Sequence, residues 1–421
     1  MKLLEVHLLQ SFGPELLNRD DTGSHKECIF GGQRRARVSS QSWKKAVRDY
    51  VKALELLPAE KRATRSKRLH DEVLKVLKQR LADNHFDAET ADYLAETALV
   101  YVGAFHVETP LSDDAANPYS QRELKSEYLV FLGNDSVSAV VELLTAHPEA
   151  AKAAAEAVRD YRQNLRKNDK YKGALGDKGK ENLRKAVEKA LGKEMSNELE
   201  RAFDGSKAVD LALFGRMLAD LPSKNVDGSA QVAHAVSTHT AFREYDYYTA
   251  IDDLKPKDTA GADMIGTVEF NAACYYRYAA LDLAKLQKNL GDDRELTKAG
   301  LEVFLRAFVE AIPSGKQNSF AAHNPPSFGA LRVQDNAQPR NLMNAFEQPV
   351  PKGSEGYVRP SIRELDAEWQ WIDTHYGDSG EIYYWLRADD AVTYLRSKNR
   401  AASAHEAIRL AVERAMTLLE S

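Results

Sequence analysis

Cysteine is nearly missing from this chain: only Cys28 and Cys274 occur in 421 residues, far apart and in no Cys-x-x-Cys spacing. That excludes a thiolate zinc site and fits a reducing compartment. No apolar run approaches the roughly 20 residues needed to span a bilayer, and the opening MKLLEVHLLQ reads as a strand, not a signal peptide. A cytoplasmic protein without membrane attachment is expected. Catalytic signatures are equally scarce. The eleven histidines form no His-Glu-x-x-His, and His234 and His239 are spaced wrongly to share a helix face. His323 reads as a hydrogen-bonded loop residue. SGKQNS at 314–319 is no Walker A loop, because Glu310 stands where its first glycine belongs and Gln317 follows the lysine. No Gly-x-Ser-x-Gly elbow and no nucleophilic cysteine arrangement occurs. Acidic pairs recur at Asp20-Asp21, Asp113-Asp114, Asp252-Asp253, Asp292-Asp293 and Asp389-Asp390. Neighbours in a strand point to opposite faces, so such pairs read as turns and caps. No catalytic residue, metal or cofactor is expected.

Acid is lacking in one place above all. The chain carries 58 basic and 63 acidic residues, net charge -5, yet no acid occurs from Gly31 to Arg48. The stretch from 18 to 48 holds Arg19, Lys26, Arg34, Arg35, Arg37, Lys44, Lys45 and Arg48 against Asp20, Asp21 and Glu27. Gly31-Gly32 permits positive φ or close approach to a ligand. The arginines offer planar forks matched to phosphate oxygens. Ser39 or Ser40 is a natural N-cap, with free backbone N–H groups beyond it. The helix that follows places Trp43, Val47, Tyr50, Val51 and Leu54 toward a core, and Lys44, Arg48 and Lys52 in a basic stripe. A solvated amphipathic helix after a polar hairpin is the plainer reading. The missing acids favour a grip on a nucleic-acid backbone, with the polyanion confined to a limited path.

The length predicts two or three structural units. Residues 3 to 9 read as a half-buried strand. From about 53 to 205 the text is helical, strongest at 150–170 and 181–203, with breaks near Pro110, Pro118 and the glycine-rich 170–180. KAVDLALFGRM (207–217) alternates apolar residues toward a Gly-Arg-Met end. Residues 264–283 alternate at period two and read as a strand. Residues 295–312 carry a helical stripe ended by Pro313, and 327–333 is a further strand. Strand, helix, strands, helix, strand is the ferredoxin-like order, here with a helical insertion. The segment 216–254 is turn-rich, with Phe242, Tyr245, Tyr247 and Tyr248 set either to stack on bases or to cover a hairpin's own core. The RNP aromatic signature of ordinary RRMs is absent, so base reading on the sheet face is not supported.

LNRDDTG, then IFGGQRRARVSSQSWKKAVR, VDLALFGRM, VAHAVSTHT, YYTAIDDL, VEFNAACYYRYAALDLAKLQKNLG, IPSGKQNSFAAHNPP and QPRNLMNAFEQPV occur in that order. Together they resemble the CasC family, the repeated backbone subunits of the type I-E CRISPR Cascade complex, over residues 3 to 350. The resemblance implies an α+β protein: an RRM-like (ferredoxin-like) palm with a large helical fingers insertion and a β-hairpin-like thumb. Its boundaries would be 1–52, 206–215 and 263–350 for the palm, 53–205 for the fingers, 216–262 for the thumb, and 351–421 for a largely helical extension. It implies a non-catalytic subunit that polymerises head to tail along one CRISPR RNA (crRNA) and presents its bases to target DNA. Further partners would be the subunits capping the crRNA 5′ end, the 3′-end endoribonuclease, and the large and small subunits. Arg19, Lys26, Arg34, Arg35, Arg37, Ser40, Gln41, Lys44, Lys45 and Arg48 would hold the RNA backbone. Met217 stands where a wedge between nucleotides is expected, and Lys316 and Gln317 are further RNA donors. Two other readings stand beside this one: a metal-dependent ribonuclease using Asp20 or Asp21, and a protein-binding helical scaffold.

Overall fold

The computed structural model describes residues 1–81, 86–101, 106–110, 122–126, 129–168, 173–203, 207–218, 224–250, 264–377 and 380–421. Asp113-Asp114, Asp252-Asp253, Pro118 and residues 170–172 therefore lie outside the described residues. The chain forms two compact units. One comprises Met1–Leu56, Ser229–Lys288 and Asp293–Ser421; the other comprises Leu57–Gly228 and Asn289–Asp292.

The first unit is built on a twisted sheet. The strand Leu3–Glu15 sits near its middle, and Leu3 to Gln10 are buried on both faces, the polar Glu5, His7 and Gln10 included. On one side it pairs antiparallel with Met264–Asp282, in the register Leu3 to Asp282 and Leu9 to Tyr276. On the other it pairs antiparallel with Phe328–Gln334. Beyond the long strand follow Ala235–Ser237, Gln33–Val38 and Glu27–Phe30; beyond Phe328–Gln334 follow Gly380–Leu386 and Asn399–Arg400. The helices Ser40–Ala53 and Arg294–Glu310 meet one face, where Arg277 lies between the rings of Trp43 and Phe308. The helix Val358–Tyr376 covers the other: His7 of the first strand packs 4.6 Å from Trp369, among Leu3, Leu9, Tyr276, Tyr278, Ile362 and Leu365. Both faces are thus core.

The strand Gly380–Leu386, paired antiparallel with Phe328–Gln334, lies in a tail whose sequence reads as largely helical. Its alternation is short and aromatic, and its burial depends on a partner some fifty positions away. Leu54, placed on the core face by helical periodicity, caps the helix and is half exposed, because the helix ends at Ala53.

The second unit packs helices Leu69–Arg80, Ala88–Val100, Asn134–Ala146, Pro148–Arg166, Asp177–Leu191 and Lys193–Ala202 around Leu94, Leu99, Val141, Val158, Val187 and Leu199. Gly192, at φ 79°, divides what reads in sequence as one helix over 181–203. Two small antiparallel pairs, Ala63–Ser66 with Val130–Gly133 and His106–Pro110 with Arg122–Ser126, interrupt the helical text. The alternating stretch after Lys207 forms a helix, Val209–Phe214, rather than extended chain: Val209, Leu211, Ala212 and Leu213 are all buried, so tertiary packing overrides the alternation.

Candidate nucleic-acid interface

The acid-free run folds into a hairpin followed by a helix. Glu27–Phe30 pairs with Gln33–Val38 through a two-residue turn, with Gly31 at φ 57° and Gly32 at φ 70°. Positive φ at both central positions is the geometry that matches strand twist and favours glycine. Gly31 has a second reason to lack a side chain, since a Cβ there would run into the Glu347 carbonyl. Ser39 then caps the helix Ser40–Ala53, its hydroxyl accepting from the Ser42 N–H at 3.3 Å, and Trp43, Val47 and Val51 are buried as the helical spacing predicts.

Adjacent residues of a strand face opposite ways, and the paired arginines obey this. Arg34 is exposed and its guanidinium meets Glu27 Oε2 at 2.5 Å. Arg35 is fully buried: it donates to the carbonyls of Ser237 (3.0 Å), Phe346 (2.8 Å) and Glu347 (3.1 Å), and lies 5.5 Å from the Phe30 ring centre. Arg35 therefore leaves the set expected to touch phosphate; its cation serves the interior. Arg37 is half-buried, donating from Nε to the Glu27 carbonyl at 3.2 Å.

The loop from Asn18 to Lys26 carries Arg19, exposed, and Lys26, half-buried. It is closed by the Lys26 N–H on the Asn18 carbonyl at 3.0 Å, by an Arg19–His25 bridge, and by the Ser39 N–H on Asn18 Oδ1 at 2.9 Å. Asp20 Oδ1 accepts from the Thr22 N–H, the Thr22 hydroxyl and the Ser24 N–H, which holds the turn and keeps the Asp20 carboxyl below its usual range. On the helix, Ser40 and Lys44 are half-buried, Gln41 and Lys45 exposed, and Arg48 half-buried; burial pushes the Lys44 ammonium pKa down, and Lys45 pairs with Asp49 one turn on. Arg19 and Lys45 meet at one cleft of about 710 Å³, which Asp21, Asp49, Tyr50 and Ser314 also line.

Gly315 explains how Lys316, remote in sequence, joins this neighbourhood. Any Cβ at Gly315 would strike the carbonyls of Leu16 and Leu17, immediately before the basic loop. Lys316 follows with left-handed backbone, φ 48°, and is half-exposed. Gln317 turns its amide inward, donating to the Pro313 carbonyl at 3.0 Å, so its side chain serves the loop. Met217 belongs to the second unit. It is 84% exposed, between Arg216, whose backbone pairs both ways with Val226, and Leu218, whose N–H is held by Asn225 Oδ1 at 2.6 Å.

Two functional neighbours escaped the sequence reading. His234 Nδ1 accepts the Ser40 N–H at 3.1 Å and lies 3.4 Å from the Arg37 guanidinium; burial, Arg37 and Lys26 lower its pKa. Arg243 clasps Glu27 with two bonds, 2.8 and 2.6 Å, and with Arg34 it holds that carboxyl below its usual range. Tyr245 and Tyr247 are each more than 60% exposed on the hairpin formed by Glu244–Ala250 and Met264–Phe270, while Tyr248 lies across Gly266. Among the described residues no group of three His, Cys, Asp or Glu is placed to hold a metal, and no helix is long and apolar enough to cross a membrane.

Fold and site together define a mixed α+β protein with a cluster of cations on one hairpin, loop and helix of the sheet-based unit. A family model described as CT1975-like protein matches residues 4–413, and the chain belongs to that family. Its structure is similar to a chain of a solved complex named "CRISPR RNA-guided surveillance complex, pre-nicking", at 28% identity and TM-score 0.75, over 98% of this chain and 100% of that one. A second, from a "CRISPR RNA-guided surveillance complex", is 25% identical with TM-score 0.66, over 98% of this chain and 99% of that one. No curated protein matches the chain in sequence.

Proposed function

We propose that this chain is the repeated backbone subunit of a type I-E Cascade surveillance complex, a non-catalytic cytoplasmic protein that carries crRNA. The observation that carries the reading is the clustering of Arg19, Lys26, Arg34, Arg37, Lys44, Lys45, Arg48 and Lys316 around the hairpin and helix of one unit, in a chain similar over nearly its whole length to subunits of CRISPR RNA-guided complexes. The sheet order supports an RRM-like palm. Phe328–Gln334, Leu3–Glu15, Met264–Asp282 and the short strands at 230–237 lie side by side, as fourth, first, third and second strands of a βαββαβ fold do. The palm would not read bases on its sheet, because the helix Val358–Tyr376 fills that face. It would hold phosphates instead, which makes it indifferent to guide sequence and leaves target DNA to be read by pairing. Met217 would be the wedge between nucleotides, and copies would contact one another and the complex's other subunits.

The test is purification of the chain with its genomic neighbours and a CRISPR transcript, followed by sizing of the extracted nucleic acid. One RNA of uniform length is expected. Absence of RNA, or a mixture lost at moderate salt, would overturn the reading. Lys44→Ala with Arg48→Ala should weaken binding equally for unrelated guides and lower the slope of log affinity against log salt by about 1.4 to 2. An unchanged slope removes that helix face from the interface.

A further inference from the structure

Three buried polar side chains sit beneath the basic loop. Glu15 is fully buried, His25 is 2% exposed and Tyr275 is fully buried. Glu15 Oε1 lies 2.9 Å from His25 Nε2 and accepts the Tyr275 hydroxyl at 2.5 Å, while Oε2 accepts the Leu17 N–H at 2.6 Å. The other ring nitrogen of His25, Nδ1, lies 2.8 Å from the Lys26 carbonyl. A carbonyl only accepts, so Nδ1 carries a proton; Nε2 faces the Glu15 carboxyl, with the Tyr275 hydroxyl 3.3 Å away. With Glu15 ionised, both ring nitrogens meet acceptors, an arrangement that holds an imidazolium whose charge Glu15 balances inside the protein. The same Lys26 carbonyl accepts the Arg37 N–H at 2.9 Å. His25 thus ties the neck of the loop bearing Arg19 and Lys26 to both the first strand and the basic hairpin.

Resting on the function proposed above, we propose that His25 is a proton-dependent positioning residue for the RNA-holding loop. As imidazolium it closes the neck and fixes Arg19 and Lys26; as neutral imidazole it must surrender one of its two donors. Losing the Nδ1 proton releases the Lys26 carbonyl, and losing the Nε2 proton leaves a buried carboxylate without its counter-charge. The charged and titratable groups around the ring are Glu15 from the first strand, Tyr275 from the long strand, and Glu27 from the hairpin, the last already engaged by Arg34 and Arg243. Burial opposes the charged ring, but Glu15, the Lys26 carbonyl and Glu27 outweigh it, and the His25 pKa lies above its ordinary value. Histidine is the side chain whose charge ordinarily changes near neutrality, so a buried histidine at the neck of the loop is suited to a pH response.

The experiment follows affinity for a labelled, mixed-sequence single-stranded RNA from about pH 6 to about pH 9, with the full chain, His25→Gln and the control His375→Gln, an exposed histidine outside the basic cluster. Ring-carbon NMR shifts of His25 and amide exchange of residues 18–26 are recorded over the same range without RNA. In the unmodified chain and in His375→Gln, affinity should fall about 3- to 10-fold as His25 titrates, and loop exchange should rise along the same curve. His25→Gln, which keeps one donor, should bind weakly at all pH values with the slope gone. A flat profile in the unmodified chain, or a slope that survives in His25→Gln, overturns the proposal. Loop exchange indifferent to the His25 titration overturns it even if no RNA binds, whereas loss of RNA binding at every pH with the exchange response intact overturns only the RNA-carrying function.

Discussion

At the level of single residues, Arg34 and Arg35 show how one strand divides like charges between two tasks. Arg34→Ala removes an exposed cation, so stability should change by no more than about 0.5 kcal/mol, while the salt slope of RNA binding falls by about 1. Arg35→Ala leaves the carbonyls of Ser237, Phe346 and Glu347 buried without a donor, at a cost of about 3 kcal/mol or more. Denaturant titration of both variants separates the cases, and equal losses would contradict the opposite orientations. Strand alternation makes it legible that one of the two points inward. Which one does is illegible, because the acceptors come from segments some 200 and 300 positions away. His7 sets a second residue-scale expectation. Complete burial, with Arg332 adding a smaller repulsion, pushes its pKa down to about 3. A folded pKa below the unfolded one means that the folded state binds fewer protons. The stability from a neutral His7 is therefore full above about pH 6.5 and is lost progressively as pH falls toward about 3, by roughly 1.4 kcal/mol per unit. Urea unfolding of His7→Phe should show a shallower acid limb than the unmodified chain, and parallel limbs would remove His7 as the cause.

At the level of elements, the presentation of Met217 is built from its surroundings. Gly215, at φ 79°, passes so close to Val226 and Gly228 that a Cβ would lie 2.7 Å from the Val226 carbonyl. The backbone ladder between Arg216 and Val226 then holds Met217 outward. Met217→Ala should leave the unfolding midpoint nearly unchanged, since little surface is buried there. If the side chain separates nucleotides, the same variant should alter the spacing of nuclease-protected positions along bound RNA. Gly215→Ala should instead lower stability by about 1–3 kcal/mol through backbone strain and the close approach. A Met217→Ala variant with an unaltered protection pattern would remove the wedge role. The elements that carry the basic cluster were largely legible: the Gly-Gly turn, the serine cap and the helical spacing of Trp43, Val47 and Val51 are local signals, and local signals survive in sequence. The helix at Val209–Phe214 and the strand at Gly380–Leu386 were not, because both are short and owe their state to distant packing. His25 was passed over because its meaning lies in Glu15 and Tyr275, which only strand register brings together.

For the whole molecule, the balance of 58 cations and 63 anions matters more than any one site. A chain with unbalanced cations on every face would coat nucleic acid without order, whereas the acid-poor track of this one lies on one hairpin, loop and helix and the rest of the chain is net acidic. Copies placed along a single strand would then meet through unlike surfaces. A heterologous contact that does not close by rotation makes an open row, so the row's length is set by its template and not by the protein. Native mass spectrometry of the chain on single-stranded RNAs of two lengths should therefore give copy numbers that rise in proportion to length, and without RNA no ring of fixed size should form. At higher salt the row should shed copies as phosphate contacts are screened, because the counterions released on binding are restored to the RNA. A copy number that stays constant while the RNA is lengthened would mean that the contact closes on itself. The basic track would then serve a closed assembly threaded by RNA, in place of a filament laid along it.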